Sequence, residues 1–126
     1  MTTFLIVDDS TVLRKVARRI LEGFGCVCDE AENGELGLKT CAASMPDAIL
    51  LDWNMPVMNG LDFLIALRAR PGGNVPVVIF CTTESDQEHV RAAMQAGANA
   101  YIFKPFDADI IQSKMEFLAL MPGHKA

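Results

Sequence analysis

Short apolar runs alternate along the chain with longer segments in which apolar residues recur every three or four positions. The short runs favour strands and the longer segments have the periodicity of helices. Strands are predicted at 4–7, 26–31, 48–51, 77–81 and 100–103. Helices are predicted between Ser10 and Gly25, at 35–43, at 61–70, between Ser85 and Gly97, and from Asp107 to about Met121, with a turn at Asn33-Gly34.

Residue types that commonly begin or end helices in proteins stand at several of the predicted helix boundaries. Ser10 precedes the first helix as a candidate N-cap, and Ser85 with Glu88 has the spacing of a capping box before the fourth. Gly25 and Gly97 follow the last periodic residues of those helices, where glycine commonly ends a helix. The chain therefore consists of five strand–helix units in strict alternation.

This alternation predicts an α/β fold. Short connections between alternating strands and helices imply a doubly wound, five-stranded parallel sheet with helices on both faces. The strands are almost wholly apolar, as strands buried on two faces should be. The second strand is the least apolar because of Asp29 and Glu30, so we expect it at an edge, which fits the flavodoxin-like order 2-1-3-4-5.

Length and composition narrow the classes of protein that remain. At 126 residues with 51% hydrophobic residues, the chain is expected to form one domain over 1–126, with no linker and no output domain. The net charge of −5 argues against a nucleic-acid-binding module. No apolar run has membrane-spanning length, and the start lacks the basic residues of a signal peptide. We therefore expect a cytoplasmic protein.

The four cysteines do not form a recognisable metal or disulfide pattern. Cys26 and Cys28 form C-x-C rather than C-x-x-C, and His89 and His124 lie too far apart for a zinc-finger pair. We interpret the cysteines as reduced, small apolar residues of the core.

Polar side chains occur where four of the predicted strands end. Asp8-Asp9 follows the first strand, Asp52 the third, Thr82 the fourth and Lys104 the fifth. In open α/β sheets, ligands bind beyond these carboxyl ends. Each residue alone has an ordinary explanation as a cap, a turn residue or a solvated strand end. Four neighbouring strands that end in this way instead favour one site.

The expected chemistry of this site is phosphoryl transfer. Two close carboxylates repel each other by ~4 kcal/mol at an intermediate dielectric, so a cation is needed to offset the repulsion. Lys104 supplies one charge, and because all the available ligands are oxygens, Mg²⁺ is the expected second cation. Metal and ammonium would neutralise phosphate oxygens, and a carboxylate can attack phosphorus. Asp52, on the central strand, is the best candidate nucleophile.

The segments LIVDDS, DWNMPVMNG, CTTES and AGANAYIFKPFD together resemble the receiver domain of two-component response regulators. The resemblance covers the whole chain and is strongest to single-domain chemotaxis regulators. It also implies the order 2-1-3-4-5, so that order does not come from the residues alone. The implied roles are a phospho-acceptor (Asp52), Mg²⁺ ligands (Asp9, Asp52, the main-chain carbonyl of Asn54, and Asp8 through water), a phosphoryl-binding lysine (Lys104) preceding a cis proline, switch residues (Thr82, Tyr101) and residues that set the phosphate lifetime (Asn54, Glu84).

The resemblance also implies partners. A histidine kinase or a histidine phosphotransfer domain would phosphorylate Asp52, and a protein target would bind a surface formed by helix four, strand five and helix five. We expect a monomer that binds neither nucleic acid nor membrane and that catalyses only its own phosphotransfer and dephosphorylation. It would act either as an output messenger or as a phosphate sink or relay intermediate. Thr83 stands where the family usually has a smaller residue, which predicts slower access of the phosphodonor.

Other classes fit the residues less well. An aspartate-nucleophile phosphohydrolase usually has a second aspartate where this chain has Asn54, which cannot donate a proton as that acid does. In a flavodoxin, Asp8-Asp9 would repel the flavin phosphate. A degenerate receiver that binds partners without phosphorylation would not be expected to retain all of the site residues.

Overall fold

The chain forms the predicted α/β fold. A computed structural model describes residues 2–83 and 87–122. Strands β1–β5 span Thr3–Val7, Val27–Ala31, Ala48–Asp52, Val77–Thr82 and Ala100–Phe103. Helices α1–α5 span Thr11–Gly23, Gly34–Ala43, Gly60–Arg68, Gln87–Gln95 and Ala108–Phe117. Within the described residues, the helices are all too short or too polar to cross a membrane.

All the strand pairs are parallel, and the order is β2-β1-β3-β4-β5. This confirms the predicted topology and the edge position of β2. The central strand β3 is buried along its whole length, because helices cover both faces of the sheet.

Apolar side chains form one core on each face of the sheet. On one face, α1 and α5 pack through Ala17, Leu21, Ile111 and Met115. On the other face, α2, α3 and α4 contribute a second set that includes the fully buried Phe63. The four cysteines are free and buried in these cores, as predicted.

Several predicted helix boundaries are confirmed by a capping hydrogen bond or by the backbone conformation of a glycine. The Ser10 hydroxyl oxygen accepts a hydrogen bond from the Leu13 N–H at 3.2 Å, which caps α1. Gly25 and Gly97, with φ of 92° and 108°, follow α1 and α4 in the left-handed conformation that glycine tolerates best. The predicted capping serine of α4, Ser85, lies outside the described residues.

The predicted turn at Asn33-Gly34 is wrong, because Asn33 is the N-cap of α2 and Gly34 is its first residue. The Asn33 side-chain oxygen accepts a hydrogen bond from the Leu36 N–H at 2.9 Å. A Cβ at Gly34 would lie 2.9 Å from the side chain of Met58, so the glycine also allows the loop after β3 to pack closely.

The predicted ends of α3 and α5 also need correction. Helix α3 begins at Gly60, one residue before its predicted start, and ends at Arg68, two residues before its predicted end. Helix α5 ends at Phe117 rather than near Met121. Ala119 adopts a φ of 58°, and the Leu120 N–H then donates to the Met115 carbonyl at 2.8 Å. This helix-ending geometry normally uses glycine, and an alanine gives no such signal in the sequence.

Glu30, in the edge strand, binds three basic side chains of α1. Its carboxylate lies 3.1 Å from Arg14 Nε, 2.9 Å from Lys15 Nζ and 2.9 Å from Arg18 Nη1. Burial opposes the charged form, but the hydrogen bonds from these three residues together lower the pKa of Glu30 to about 2. The ion pairs therefore tie α1 to the edge of the sheet.

Replacing Glu30 with glutamine should destabilise the fold in a pH-dependent way. Because the folded-state pKa lies below the ordinary value of 4.5, the contribution of Glu30 is present above that value and is lost as pH falls toward 2. Glu30→Gln should lower the free energy of unfolding by about 1–2 kcal/mol at pH 7. Urea unfolding between pH 7 and pH 3 should show the difference from the parent narrowing below pH 4.5.

Asp29→Asn is the matched control, since Asp29 is the exposed neighbour of Glu30. A difference between the parent and Glu30→Gln that stays constant across this pH range would contradict the assigned role of the ion pairs.

Candidate functional site

The register of the sheet brings the polar strand ends to one edge. Asp52 is the last residue of β3 and pairs with Cys81 of β4, and Thr82 pairs with Phe103 of β5. The Lys104 N–H continues this pairing by donating to the Thr82 carbonyl at 2.9 Å. The predicted convergence of these residues on one edge is therefore confirmed.

Three carboxylates and one ammonium meet at this edge. Asp8, Asp9 and Asp52 each place an oxygen within 4.8 Å of the others. Asp8 and Asp52 are buried, whereas Asp9 is exposed. Lys104 Nζ lies 2.9 Å from Asp52 Oδ1 and 3.2 Å from Asp8 Oδ2. One side of the cluster is thus closed by a cation, and the other side opens to solvent at Asp9.

The charges of this cluster are not balanced by Lys104 alone. Burial raises the pKa of Asp52 to about 6, and the charges of Asp8 and Asp9 act in the same direction against the hydrogen bond from Lys104. Burial would lower the pKa of Lys104, but its hydrogen bond to Asp52 and the charges of Asp52 and Asp8 raise it overall. Lys104 is therefore a stable ammonium, and the site retains excess negative charge.

A second set of contacts fixes Asp8, and sequence reasoning missed it. The Ser10 N–H donates to Asp8 Oδ1 at 2.8 Å, and Arg14 Nη1 donates to the Asp8 carbonyl at 2.6 Å. Arg14 is in turn held by Glu30. The only signal in the sequence was the charged Glu30 within a strand. This charge predicts a strand at the edge of the sheet, but it does not indicate a link between Glu30 and the site.

The loop that follows Asp52 closes tightly on itself. The Gly60 N–H donates to the Trp53 carbonyl at 2.8 Å, and a Cβ at Gly60 would overlap the Asp52 carbonyl oxygen. The buried Trp53 ring packs against Phe80 at 5.0 Å and His89 at 4.8 Å between ring centroids. Only glycine allows the start of α3 to pack against the backbone of the phospho-acceptor candidate.

The candidate switch residues lie on β4 and β5. Thr82 is buried at the end of β4, and the half-buried Tyr101 ring lies between Phe80, at 6.1 Å, and Phe103, at 5.2 Å. The Lys104-Pro105 bond is cis, as expected. Asn54 is exposed on the loop after Asp52. Glu84, the other candidate for the phosphate lifetime, lies outside the described residues.

The donor set fits Mg²⁺. The ligand atoms that meet at the edge are carboxylate oxygens, which hard divalent cations prefer. Burial raises the pKa of Cys81, beside Asp52, to about 12, so this thiol is neutral at pH 7 and adds no charge to the cluster. A divalent cation beside Asp9 would offset the charge that Lys104 leaves unbalanced.

Comparisons with known proteins agree with this geometry. A family model described as the response regulator receiver domain matches residues 4–116. The chain is 35% identical over 113 residues to the chemotaxis protein CheY of Pseudomonas aeruginosa, covering 89% of this chain and 91% of the relative. It is 38% identical over 114 residues to the chemotaxis protein CheY1 of Helicobacter pylori strain J99, covering 89% and 92%.

Solved structures share the fold. CheY4 of Vibrio cholerae superposes with a TM-score of 0.88 at 28% identity, covering 93% of this chain and 98% of that one. The receiver domain of the sensor histidine kinase PA1611 of Pseudomonas aeruginosa superposes with a TM-score of 0.83 at 27% identity, covering 92% and 95%. That receiver domain has a magnesium ion coordinated in its active-site cleft.

Gly60→Ala should distort the site and destabilise the fold, because its Cβ would overlap the Asp52 carbonyl. We expect the free energy of unfolding to fall by about 2–3 kcal/mol. Gly23→Ala is the matched control, since a Cβ at Gly23 meets nothing within 4 Å and should change stability by less than about 1 kcal/mol. Urea denaturation measures both, and equal stability of the two variants would contradict the close approach at Gly60.

Proposed function

The chain belongs to the response regulator receiver family, and from that premise we propose that Asp52 accepts a phosphoryl group in a Mg²⁺-dependent reaction. The observation that carries this proposal is the position of Lys104 Nζ, 2.9 Å from Asp52 and 3.2 Å from Asp8. An ammonium held there can bind a phosphoryl oxygen once phosphorus is attached to Asp52. The protein is then a signalling protein of the CheY type, and its signalling state depends on whether the Asp52 carboxylate is phosphorylated.

The proposed donor is a phosphohistidine of a histidine kinase or of a histidine phosphotransfer domain. An Asp52 carboxylate oxygen attacks phosphorus, a P–O bond forms, and the P–N bond to the histidine breaks. The leaving imidazole nitrogen keeps the bonding electrons and takes a proton from solvent. Mg²⁺, held by Asp9, Asp52 and the Asn54 carbonyl, with Asp8 acting through water, would offset the charge that accumulates on the phosphoryl oxygens.

The signal would be transmitted through Thr82 and Tyr101. Thr82 lies at the end of the strand next to Asp52, where its hydroxyl can bind a phosphoryl oxygen. Tyr101 lies on the next strand, in ring contact with Phe103, whose side chain is 45% exposed. A shift of Thr82 toward the phosphoryl group would therefore alter packing at a surface of α4, β5 and α5, to which a target protein binds.

Asn54 and Glu84 are proposed to set the lifetime of the aspartyl phosphate. Asn54 is exposed two residues after Asp52, where its side chain can contact an attacking water. In this proposal the protein acts as a messenger with its own target, because the partly exposed Phe103, in ring contact with Tyr101, can contact a partner protein. A phosphate sink would need only Asp52 and its immediate partners.

Asp52→Asn should abolish phosphorylation. Incubation with acetyl phosphate and Mg²⁺ should add the mass of one phosphoryl group to the parent and nothing to this variant, because the amide is not a nucleophile for phosphorus. Removal of Mg²⁺ with a chelator should prevent the mass gain in the parent. Asp62→Asn, which changes an exposed aspartate in the first turn of α3, is the control and should be phosphorylated like the parent. Equal labelling of Asp52→Asn would remove Asp52 as the acceptor.

Thr82→Ala should separate phosphorylation from the switch. Beryllofluoride with Mg²⁺ mimics a phosphoryl group on a carboxylate, and NMR amide signals report each residue separately. In the parent, signals near Asp52 and those of Tyr101 and Phe103 should shift. In Thr82→Ala, those near Asp52 should still shift while those of Tyr101 and Phe103 remain nearly unchanged.

Thr83→Ala is the matched control, since Thr83 is the exposed neighbour of the buried Thr82. This variant should behave like the parent at Tyr101. Full shifts of Tyr101 and Phe103 in Thr82→Ala would exclude Thr82 from the switch.

A further inference from the structure

The loop between β3 and α3 contains a strained residue close to the proposed metal site. Val57 has a φ of 73°, and the Met58 N–H donates to the Pro56 carbonyl at 2.8 Å, which makes a γ-turn centred on Val57. A positive φ is rare for a β-branched residue, because its Cβ substituents crowd the backbone. Turns of this kind are strained in any sequence.

Burial of the Val57 side chain does not compensate for this strain. The side chain is 74% exposed, so no packing of its own favours the turn. The turn is instead imposed from both sides of the loop. Gly60 is fixed against the Asp52 carbonyl, and Met58 packs over Gly34 at the start of α2. Strain that persists under such constraints is typical of functional sites.

The strained turn and the site share one short segment. Asn54, whose carbonyl is a proposed Mg²⁺ ligand, lies between Asp52 and Pro56 in this loop. The loop can relax at Val57 only if residues on one side of the turn move, and movement on the Asn54 side would displace this ligand. Relaxation on the other side would remove Met58 from its position over Gly34.

We propose that Val57 regulates the Mg²⁺ affinity of the site by opposing the loop conformation that binds the metal. This inference rests on the proposed function, because it assumes that Mg²⁺ binds at Asp9, Asp52 and Asn54. A residue that destabilises the binding-competent loop reduces the fraction of molecules in that conformation, and the apparent affinity falls by the same fraction. A residue that tolerates positive φ should therefore tighten binding.

Val57→Asn provides the test, because asparagine adopts positive φ far more readily than valine. The dissociation constant for Mg²⁺ should decrease by a factor of about 3 to 10 relative to the parent. Titration with MgCl₂ can be followed by the fluorescence of Trp53, the only tryptophan of the chain, which directly follows Asp52. Calorimetry on the same samples gives the affinity independently of the fluorophore.

Two matched variants separate strain at the loop from strain elsewhere. Val57→Ile retains the β-branch and the exposed position and should bind Mg²⁺ like the parent. Ala119→Gly relieves a positive φ of 58° after α5, remote from the loop, and should raise the unfolding temperature without changing Mg²⁺ affinity. Val57→Asn should both raise the unfolding temperature and tighten binding.

The outcomes distinguish this inference from the proposed function. If the parent binds Mg²⁺ and Val57→Asn binds it equally or more weakly, the strain is borne alike by the free and bound states, and the inference is overturned alone. If Ala119→Gly tightens binding as much as Val57→Asn does, the effect is one of general stability, which also overturns it. If the parent binds no Mg²⁺, the proposed metal site fails, and this inference fails with it.

Discussion

Three carboxylates that repel one another lie close together at one edge of the sheet, and the site depends on the fold that holds them there. Asp8, Asp9 and Asp52 have oxygens within 4.8 Å of one another, and among the described residues Lys104 is the basic side chain that forms ion pairs with this cluster. Such a cluster exists only where covalent continuity with buried strands holds its members in place. The ladders of β1, β3 and β4 supply that rigidity, because their apolar residues are buried on both faces of the sheet. A cation that binds the cluster reduces the repulsion among its carboxylates. Because the fold already holds the carboxylates together, the relief of this repulsion favours cation binding.

Two further features hold the site from its sides. Glu30 positions Arg14, which donates to the Asp8 carbonyl, so that the edge strand and α1 support the end of β1. Gly60 and Met58 hold the loop after Asp52 in a conformation that strains Val57. The ring of Phe80 contacts both Trp53, next to Asp52, and Tyr101, next to the exposed Phe103. The proposed acceptor and the proposed binding surface are therefore separated by close-packed aromatic side chains rather than by solvent.

Much of this arrangement could be predicted from local patterns in the sequence. The strands and the meeting of Asp8, Asp52, Thr82 and Lys104 followed from apolar runs that end in polar residues, and the strand order followed in part from the resemblance to receiver domains. The errors fell where local signals are ambiguous or missing. Asn33 can initiate a turn or cap a helix, and α5 ends at a left-handed alanine that carries no sequence signal. The roles of the site residues, the single-domain organisation, the cellular location and the oligomeric state remain predictions.

The fold class and the meeting of Asp8, Asp52 and Lys104 at one site on the sheet edge were predictable from the sequence alone, because strand periodicity and burial are local properties and parallel strands present their carboxyl ends at a common edge. Only the tertiary structure decided which residues support that site. The ion pairs of Glu30 with α1, the approach of Gly60 to the Asp52 carbonyl and the positive φ of Val57 all depend on contacts between segments distant in sequence or on closure of a loop. No periodicity encodes such contacts, because each exists only once the helices have packed on the sheet.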